Sequence, residues 1–211
     1  MTTKLDIFSD PICPWCYIGK ARLEKALEQR PDHPFVVEWH PYMLNPSMPP
    51  EGMDRREYLQ AKFGPPDDVV KAYLPVSDAA TEAGIPMDLS KITRTPSTLD
   101  AHRLIHWAGL DGRQNAVVNA LFKAYFVQGL DVSQHEVLLT IAQDCGLDRA
   151  MIARLLETDS DTDDIRARDA DIRARGLQGV PGFLVGRTYV VNGAHPTEFW
   201  VQVIDDLTAQ S

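Results

Sequence analysis

Positive charge is scarce in this chain of 211 residues. Lys and Arg number 21 against 30 Asp and Glu, which gives a net charge of −9. Nucleic-acid backbones and anionic membrane surfaces are bound by clustered Lys and Arg, so we expect neither partner. Long apolar runs are also missing, because no stretch approaches the roughly 20 residues that cross a bilayer. We therefore expect a globular protein that acts away from membranes and nucleic acids.

The first residues contain no export signal of the usual kind. Residues 1–8 lack the basic start, the apolar core and the small-residue cleavage site of a signal peptide. We therefore expect a cytoplasmic protein, and structural disulfides are rare in that compartment.

Cysteine is the third scarce residue type, with three in the chain. With only three thiols, a structural framework of disulfides is the less favoured use of cysteine. Two of them, Cys13 and Cys16, form one Cys-Pro-Trp-Cys motif. Cys145 continues an apolar helical stripe and is interpreted as a core residue, as free cysteine commonly is.

Strand-like segments occur at both ends of the chain, and helical patterns occupy the middle. The predicted strands cover residues 4–9, 35–40, 180–185 and 188–192. The predicted helices cover residues 14–29, 54–63, 67–83, 97–110, 113–127, 134–145, 148–156 and 159–175, with a last one from Pro196. Ser133 and Glu136 have the spacing of a capping box before the helix at 134–145.

This order predicts an α/β protein with a discontinuous domain. Residues 1–53 and 158–211 would form the α/β part, and residues 54–157 an inserted all-helical part. The first strand, helix and strand fit a parallel pair joined by a right-handed crossover.

The Cys-Pro-Trp-Cys motif begins at the predicted start of a helix, where Pro14 suits the first turn. Free N–H groups and the helix dipole favour a thiolate there. We therefore assign Cys13 as the attacking thiol and Cys16 as the resolving thiol. Neither Pro14 nor Trp15 is ionisable, so we expect a reduction potential nearer to roughly −270 mV than to −120 mV.

Two other interpretations of the motif are weaker. Tetrahedral zinc needs four ligands, commonly a second cysteine pair or paired histidines, and the chain offers only Cys145 and scattered histidines. We expect no metal. Two inert, packed thiols are the second alternative.

His102 and His106 lie four residues apart on one predicted helix, where they either pack two helices together or face a substrate.

Val180 and Pro181 form the second feature of interest, because a proline opens a predicted strand there. If that bond were cis beside the cysteine helix, the Val180 backbone would be free to pair with an extended substrate. The residues alone leave this open.

Four segments together carry a resemblance to a known family. They are residues 8–20, the Asn45-Pro46 loop, residues 98–104 and Gly179-Val180-Pro181. The chain resembles the DsbA-like thioredoxin family and, within it, the FrnE-like group, which is similar to 2-hydroxychromene-2-carboxylate isomerases.

The resemblance implies a thioredoxin fold with a helical insertion and thiol–disulfide oxidoreductase activity. It implies catalytic roles for Cys13 and Cys16 and a cis proline at Pro181 facing Cys13. The residues expected to contact substrate are Pro14, Trp15, Asn45, His102, Val180 and Pro181.

Three positions differ from the related chains. The isomerase branch typically has Ser where this chain has Cys13, and there the residue works with bound glutathione. Ser97 stands where Asn is frequent, and Gly182 stands where a larger residue is common, which would widen the cleft. The cysteine pair favours the redox branch.

The leading hypothesis is therefore a thiol–disulfide oxidoreductase or isomerase acting on protein or small-molecule disulfides. The alternatives are a glutathione-dependent isomerase of aromatic compounds and a non-catalytic binding module. No tightly bound cofactor is expected, and glutathione is a candidate co-substrate. The oligomeric state, monomer or homodimer, stays open.

Overall fold

The chain folds around a mixed sheet of four strands in the order β2-β1-β5-β6, as seen in a computed structural model that describes residues 2–209. The strands of this sheet are β1 (Thr3–Ser9), β2 (Phe35–Pro41), β5 (Gly182–Val185) and β6 (Tyr189–Asn192), and a second, two-stranded sheet pairs β3 (Met53–Asp54) with β4 (Arg94–Thr95). Strand β1 runs parallel to β2 and antiparallel to β5. The two ends of the sequence therefore build one sheet.

The helices agree with the predicted ones to within about three residues at each end. They are α1 (Pro14–Gln29), α2 (Arg55–Phe63), α3 (Pro66–Ala83), α4 (Leu99–Leu110), α5 (Gln114–Phe126), α6 (His135–Asp144), α7 (Arg149–Leu156), α8 (Thr162–Ala174) and α9 (Thr197–Ala209). Of the helices in residues 2–209, none combines the length and the apolar character needed to cross a membrane.

The thioredoxin fold with a helical insertion is confirmed. Helix α1 links the parallel strands β1 and β2 and packs against α9. Helices α2 to α7 lie between the two halves of the sheet in sequence. The insertion additionally contains the short β3–β4 ladder and a 3₁₀ turn at Leu89–Lys91, which the sequence pattern did not predict. Met1, Gln210 and Ser211 of the predicted α/β domain lie outside the described residues.

The core lies between the sheet and its helices. Leu5 and Ile7 on the central strand are buried, and Phe183 packs edge-on against Trp200 of α9 with ring centroids 4.7 Å apart. Burial of each such side chain contributes about 2–3 kcal/mol. Helix α1, which carries the cysteine pair, packs against α9 and is thereby joined to this core.

One predicted helix cap is wrong. The expected capping box at Ser133 and Glu136 does not form: helix α6 begins at His135, its N-cap is Gln134, and no side chain caps it. The Ser133 hydroxyl instead donates to the Asp131 carboxylate at 2.6 Å. The Ser133 hydroxyl forms a hydrogen bond within a local turn and therefore does not cap the helix.

Candidate active site

The two cysteines share the first turn of α1. Cys13 is the N-cap residue and Pro14 occupies the first helical position, where its missing N–H costs nothing. The Cys16 N–H donates to the Cys13 carbonyl at 3.1 Å. Both cysteines are free thiols.

The two thiols have different surroundings. Cys13 is 4% exposed and Cys16 1%. Burial is the main cause that raises the pKa of Cys16 well above its usual value, and contact with Cys13 raises it further. The Ser9 hydroxyl and the Asp10 backbone oppose the shift by hydrogen bonding to the Cys16 sulfur. Cys16 is therefore held as a protonated, inner thiol.

The Val180–Pro181 segment faces Cys13. The peptide bond between Val180 and Pro181 is cis, and the Cys13 thiol donates a long hydrogen bond of 3.7 Å to the Val180 carbonyl oxygen. Pro181 also packs closely on α1, because a Cβ added at Gly19 would lie 3.1 Å from Pro181 Cγ. The fold thus brings together residues 167 positions apart in sequence.

Trp15 forms the exposed rim of this site and is 36% exposed. Pro14 is half-buried beside it. Pro14, Trp15 and Val180 are the accessible residues around the buried thiols, so a substrate would meet them first.

Gly182 does not widen the cleft. A Cβ at this position would lie 2.8 Å from Leu177 Cδ1, so the space left by the missing side chain is filled by Leu177. The expectation that Gly182 widens the cleft is therefore wrong where Leu177 occupies the space beside it.

Asp10 organises the loop before the cysteines. Its carboxylate is fully buried and accepts hydrogen bonds from the Ile12 N–H at 3.1 Å, the Leu44 N–H at 2.6 Å and the Thr98 hydroxyl at 3.3 Å. Burial raises the pKa of Asp10 to about 6, against the effect of these hydrogen bonds. Sequence reasoning treated Asp10 only as part of a turn; its position three residues before Cys13 was the available signal.

Asn45 lies in the loop that Asp10 holds. The Tyr58 hydroxyl from α2 donates to Asn45 Oδ1 at 3.1 Å. The Asn45 Nδ2 is buried and has no hydrogen-bond partner among the described residues. Asn45 thus has a free donor beside the loop that leads to the cysteines.

His102 is placed away from the accessible rim. Its side chain is 2% exposed, and burial lowers its pKa to about 4. Its Nε2 has no partner in residues 2–209 and borders a small cavity of about 10 Å³ together with Ser9 and Trp39. The packing interpretation of His102 fits this position, and a direct contact with substrate stays a prediction.

One group of potential metal ligands occurs on the sheet, formed by Asp6, Glu38 and His40. The Lys4 ammonium already lies 3.0 Å from Asp6 and 2.8 Å from Glu38. Because a lysine supplies the positive charge there, this group is an ion-pair network on the sheet surface.

Comparison with known proteins matches residues 4–205 to the family model described as the DSBA-like thioredoxin domain. The structure of a probable DsbA oxidoreductase, SCO1869 from Streptomyces coelicolor, is 30% identical, with a TM-score of 0.86 over 99% of this chain and 91% of that one.

Two more distant structures share the fold. A 2-hydroxychromene-2-carboxylate isomerase is 17% identical, with a TM-score of 0.72 over 98% of this chain and 97% of the isomerase. The cytosolic disulfide reductase DsbM from Pseudomonas aeruginosa is 20% identical, with a TM-score of 0.70 over 99% of this chain and 100% of DsbM. DsbM has also been solved with GSH.

Proposed function

The chain belongs to the DSBA-like thioredoxin domain family, and from this premise we propose that it is a thiol–disulfide oxidoreductase in which Cys13 attacks and Cys16 resolves. The observation that carries the proposal is the position of Cys13. It is the N-cap of α1, its sulfur lies 3.7 Å from the Val180 carbonyl, and Cys16 lies in the same helical turn.

The reaction follows from the two thiol environments. The Cys13 thiolate attacks one sulfur of a substrate disulfide, forms a mixed disulfide and releases the first substrate thiolate, which takes a proton from water. Cys16 then attacks the Cys13 sulfur, the Cys13–substrate bond breaks, and the proton of Cys16 passes to the second substrate thiolate as it leaves. The substrate gains two electrons, and the protein retains a Cys13–Cys16 disulfide that an external thiol must reduce.

Substrate would lie across the rim of the site. Trp15 offers an exposed ring, Pro14 lies beside it, and the backbone of Val180 before Pro181 would pair with an extended segment of substrate. Asn45 Nδ2 supplies a free donor from the neighbouring loop. His102 would act from behind the site, and residues 54–157 would form the inserted unit that covers it.

Glutathione is the candidate external thiol in this proposal. Its support is the cytosolic disulfide reductase DsbM, which shares the fold and has been solved with GSH. The same likeness supports a cytoplasmic location and disulfides as substrates. We further propose that these are protein or small-molecule disulfides and that the working form is a monomer or a homodimer.

Glutathione-dependent isomerisation of an aromatic compound is the second candidate. The shared fold with 2-hydroxychromene-2-carboxylate isomerase favours it. It predicts glutathione binding and turnover that persist after Cys16→Ser, whereas the dithiol mechanism requires Cys16.

Insulin reduction by dithiothreitol tests the proposal. The unmodified chain should accelerate the reaction, Cys13→Ser and Cys16→Ser should abolish the acceleration, and Cys145→Ser should retain it. Acceleration that survives Cys13→Ser, or a protein no faster than dithiothreitol alone, would contradict the dithiol mechanism.

A further inference from the structure

His102, on α4, has a buried ring nitrogen without a partner. The side chain is 2% exposed, and its Nε2 has no hydrogen-bond partner among residues 2–209. Burial is the main cause that lowers the pKa of His102 to about 4, while the Asp169 carboxylate opposes this shift and the Arg168 guanidinium adds to it. The imidazole is therefore neutral at neutral pH, with one nitrogen as a donor and the other as an acceptor. Buried polar atoms of this kind normally have a partner, because leaving them unpaired is costly.

His102 borders a small cavity next to the segment that leads to the cysteines. Ser9 and Pro11, which precede Cys13 by four and two residues, line the same cavity. The rest of the wall is formed by Trp39, His40, Ile105, Val118 and Phe122. The cavity offers a volume of about 10 Å³ to the centre of a water molecule. This is room for one water, which normally needs two to four polar partners.

Two of the polar side chains in this wall already have partners. Trp39 Nε1 donates to a side-chain oxygen of α5 at 3.2 Å. Both ring nitrogens of His40 are engaged, Nε2 with Asp6 at 2.6 Å and Nδ1 with a guanidinium of α8 at 3.2 Å. The Ser9 hydroxyl and His102 Nε2 are the two remaining polar side-chain groups that line the cavity. A hydroxyl has one donor and two acceptor sites, so Ser9 can bind a water and a second group at the same time.

The Ser9 hydroxyl connects the cavity with the resolving thiol. It forms a hydrogen bond with the Cys16 sulfur and thereby opposes the rise of the Cys16 pKa that burial causes. Tyr17, the next residue on α1, stacks on Phe122 of the cavity wall with ring centroids 5.1 Å apart. Cys16 itself is 1% exposed. Negative charge that develops on the Cys16 sulfur is therefore stabilised by the groups packed around it, of which Ser9 is one.

We propose that the cavity holds one water that bridges His102 Nε2 to the Ser9 hydroxyl, and that this chain stabilises the Cys16 sulfur during the resolving step. This inference rests on the proposed dithiol function and gives His102 a positioning role within it. As Cys16 attacks Cys13 and its proton passes to the leaving thiolate, Ser9 donates to the Cys16 sulfur, the water donates to Ser9, and His102 Nε2–H donates to the water. Hydrogen bonds in such a chain polarise one another. The chain takes up no proton, so the balance of the reaction is unchanged.

A chromogenic disulfide separates the attacking step from the resolving step. Reduced protein in a Cys145→Ser background, which removes the third thiol, is mixed with an excess of 4,4′-dithiodipyridine. The first equivalent of thiopyridone reports the attack by Cys13, and its rate rises with the reagent concentration. The second equivalent reports the attack by Cys16 on the mixed disulfide, and its rate does not depend on that concentration. Mildly acidic pH slows the second release, because Cys16 is then almost fully protonated, and makes it measurable.

His102→Leu should slow the second release about tenfold, the effect of losing one water-mediated hydrogen bond to a charged group, and should leave the first within about twofold. His102→Gln places an amide near the position of Nε2 and should restore most of the rate. Ile105→Val is the matched control, because Ile105 is a buried apolar residue in the wall of the same cavity. Both of its rates should stay within about twofold of the parent. In a Ser9→Ala background, which interrupts the chain, His102→Leu should have no further effect.

A crystal structure of the parent protein covers the case in which His102→Leu fails to fold. One water should lie within hydrogen-bond distance of both Ser9 Oγ and His102 Nε2. A cavity without that water would overturn the inference alone, as would a folded His102→Leu whose second release is as fast as that of the parent. Slowing of both releases to the same degree, or equal slowing by Ile105→Val, would also overturn it. A reduced protein that does not release two equivalents would overturn the dithiol function and the inference with it.

Discussion

The Leu44 N–H donates a 2.6 Å hydrogen bond to the Asp10 carboxylate, although the two residues are 34 positions apart. Through this contact the loop before the cysteines is tied to the loop that carries Asn45. The Thr98 hydroxyl, on the helical insertion, shares the same carboxylate oxygen. Asp10 thus joins the two parts of the fold next to Cys13.

The titration of Asp10 should be visible in the stability of the protein. Burial raises its pKa from 3.8 to about 6. Between these values the folded protein holds a proton that the unfolded chain has released, so the free energy of unfolding contributed by Asp10 decreases as pH rises. The decrease from pH 4 to pH 7 should be about 2 kcal/mol, because part of the titration of the unfolded chain lies below pH 4.

Urea unfolding of the parent protein and of Asp10→Asn measures this effect. As pH rises from 4 to 7, the unfolding free energy of the parent protein should fall relative to that of Asp10→Asn. A constant cost added by the amide does not alter this dependence on pH. Asp78→Asn removes an exposed carboxylate and serves as the control. A difference for Asp10→Asn that does not change with pH would refute the prediction.

The residues between the cysteines should set the reduction potential. Pro14 and Trp15 carry no ionisable group, and we expect a potential nearer to roughly −270 mV than to −120 mV. Trp15→His would place an imidazolium at the rim of the site and stabilise the thiolate of the reduced form. It should raise the potential by about 30 mV or more.

Equilibration in glutathione buffers measures both values. Trp15→Phe, which keeps an uncharged aromatic ring, should leave the potential close to that of the parent. A parent potential above about −150 mV, or equal potentials for the His and Phe variants, would contradict the assignment.

Gly182 should accept an extra methyl group only if the Leu177 side chain moves. A Cβ there would lie 2.8 Å from Leu177 Cδ1, at the end of a half-buried side chain, so the cost should lie at the lower end of the roughly 1–3 kcal/mol that is typical of overpacking. Gly182→Ala should therefore lower the free energy of unfolding. Because the clash is with one side chain, the cost should be smaller in a Leu177→Ala background.

Thermal unfolding of the two single variants and the double variant gives the coupling between these positions. If the two substitutions changed the free energy of unfolding additively, Leu177 would not be the residue that fills the space beside Gly182.

Local sequence patterns predicted the elements well, because periodicity and helix caps are local. The bounds of α1, residues 14–29, were predicted to the residue, since Pro14 begins the helix and Pro31 follows its end. The β3–β4 ladder was missed because two-residue strands have no periodic signal and depend on the meeting of Met53 and Thr95.

The sequence predicted the part of the candidate site that forms a local motif. It did not predict the parts that depend on contacts between residues distant in sequence. The cysteine pair is a local motif, and the closeness of Val180 to Cys13 was implied only by the family resemblance. Asp10 was missed, since burial of a single charged residue leaves no mark on the sequence. His102 lies in the interior on α4, which fits the packing interpretation, and its contact with a substrate stays a prediction.

Cys16→Ser should convert the protein into a trap for its substrates. In the proposed mechanism Cys13 attacks first, and only Cys16 can release the resulting mixed disulfide from within the protein. In a Cys145→Ser background, which removes the third thiol, Cys16→Ser mixed with 5,5′-dithiobis(2-nitrobenzoate) should therefore release one equivalent of thiolate and retain the other as a stable adduct on Cys13. The reduced Cys145→Ser protein should release two equivalents, and mass spectrometry should find the adduct on Cys13 when Cys16 is Ser and none when Cys13 is Ser. An adduct on Cys16 in Cys13→Ser that forms as fast as the adduct on Cys13 in Cys16→Ser would reverse the assignment of the attacking thiol.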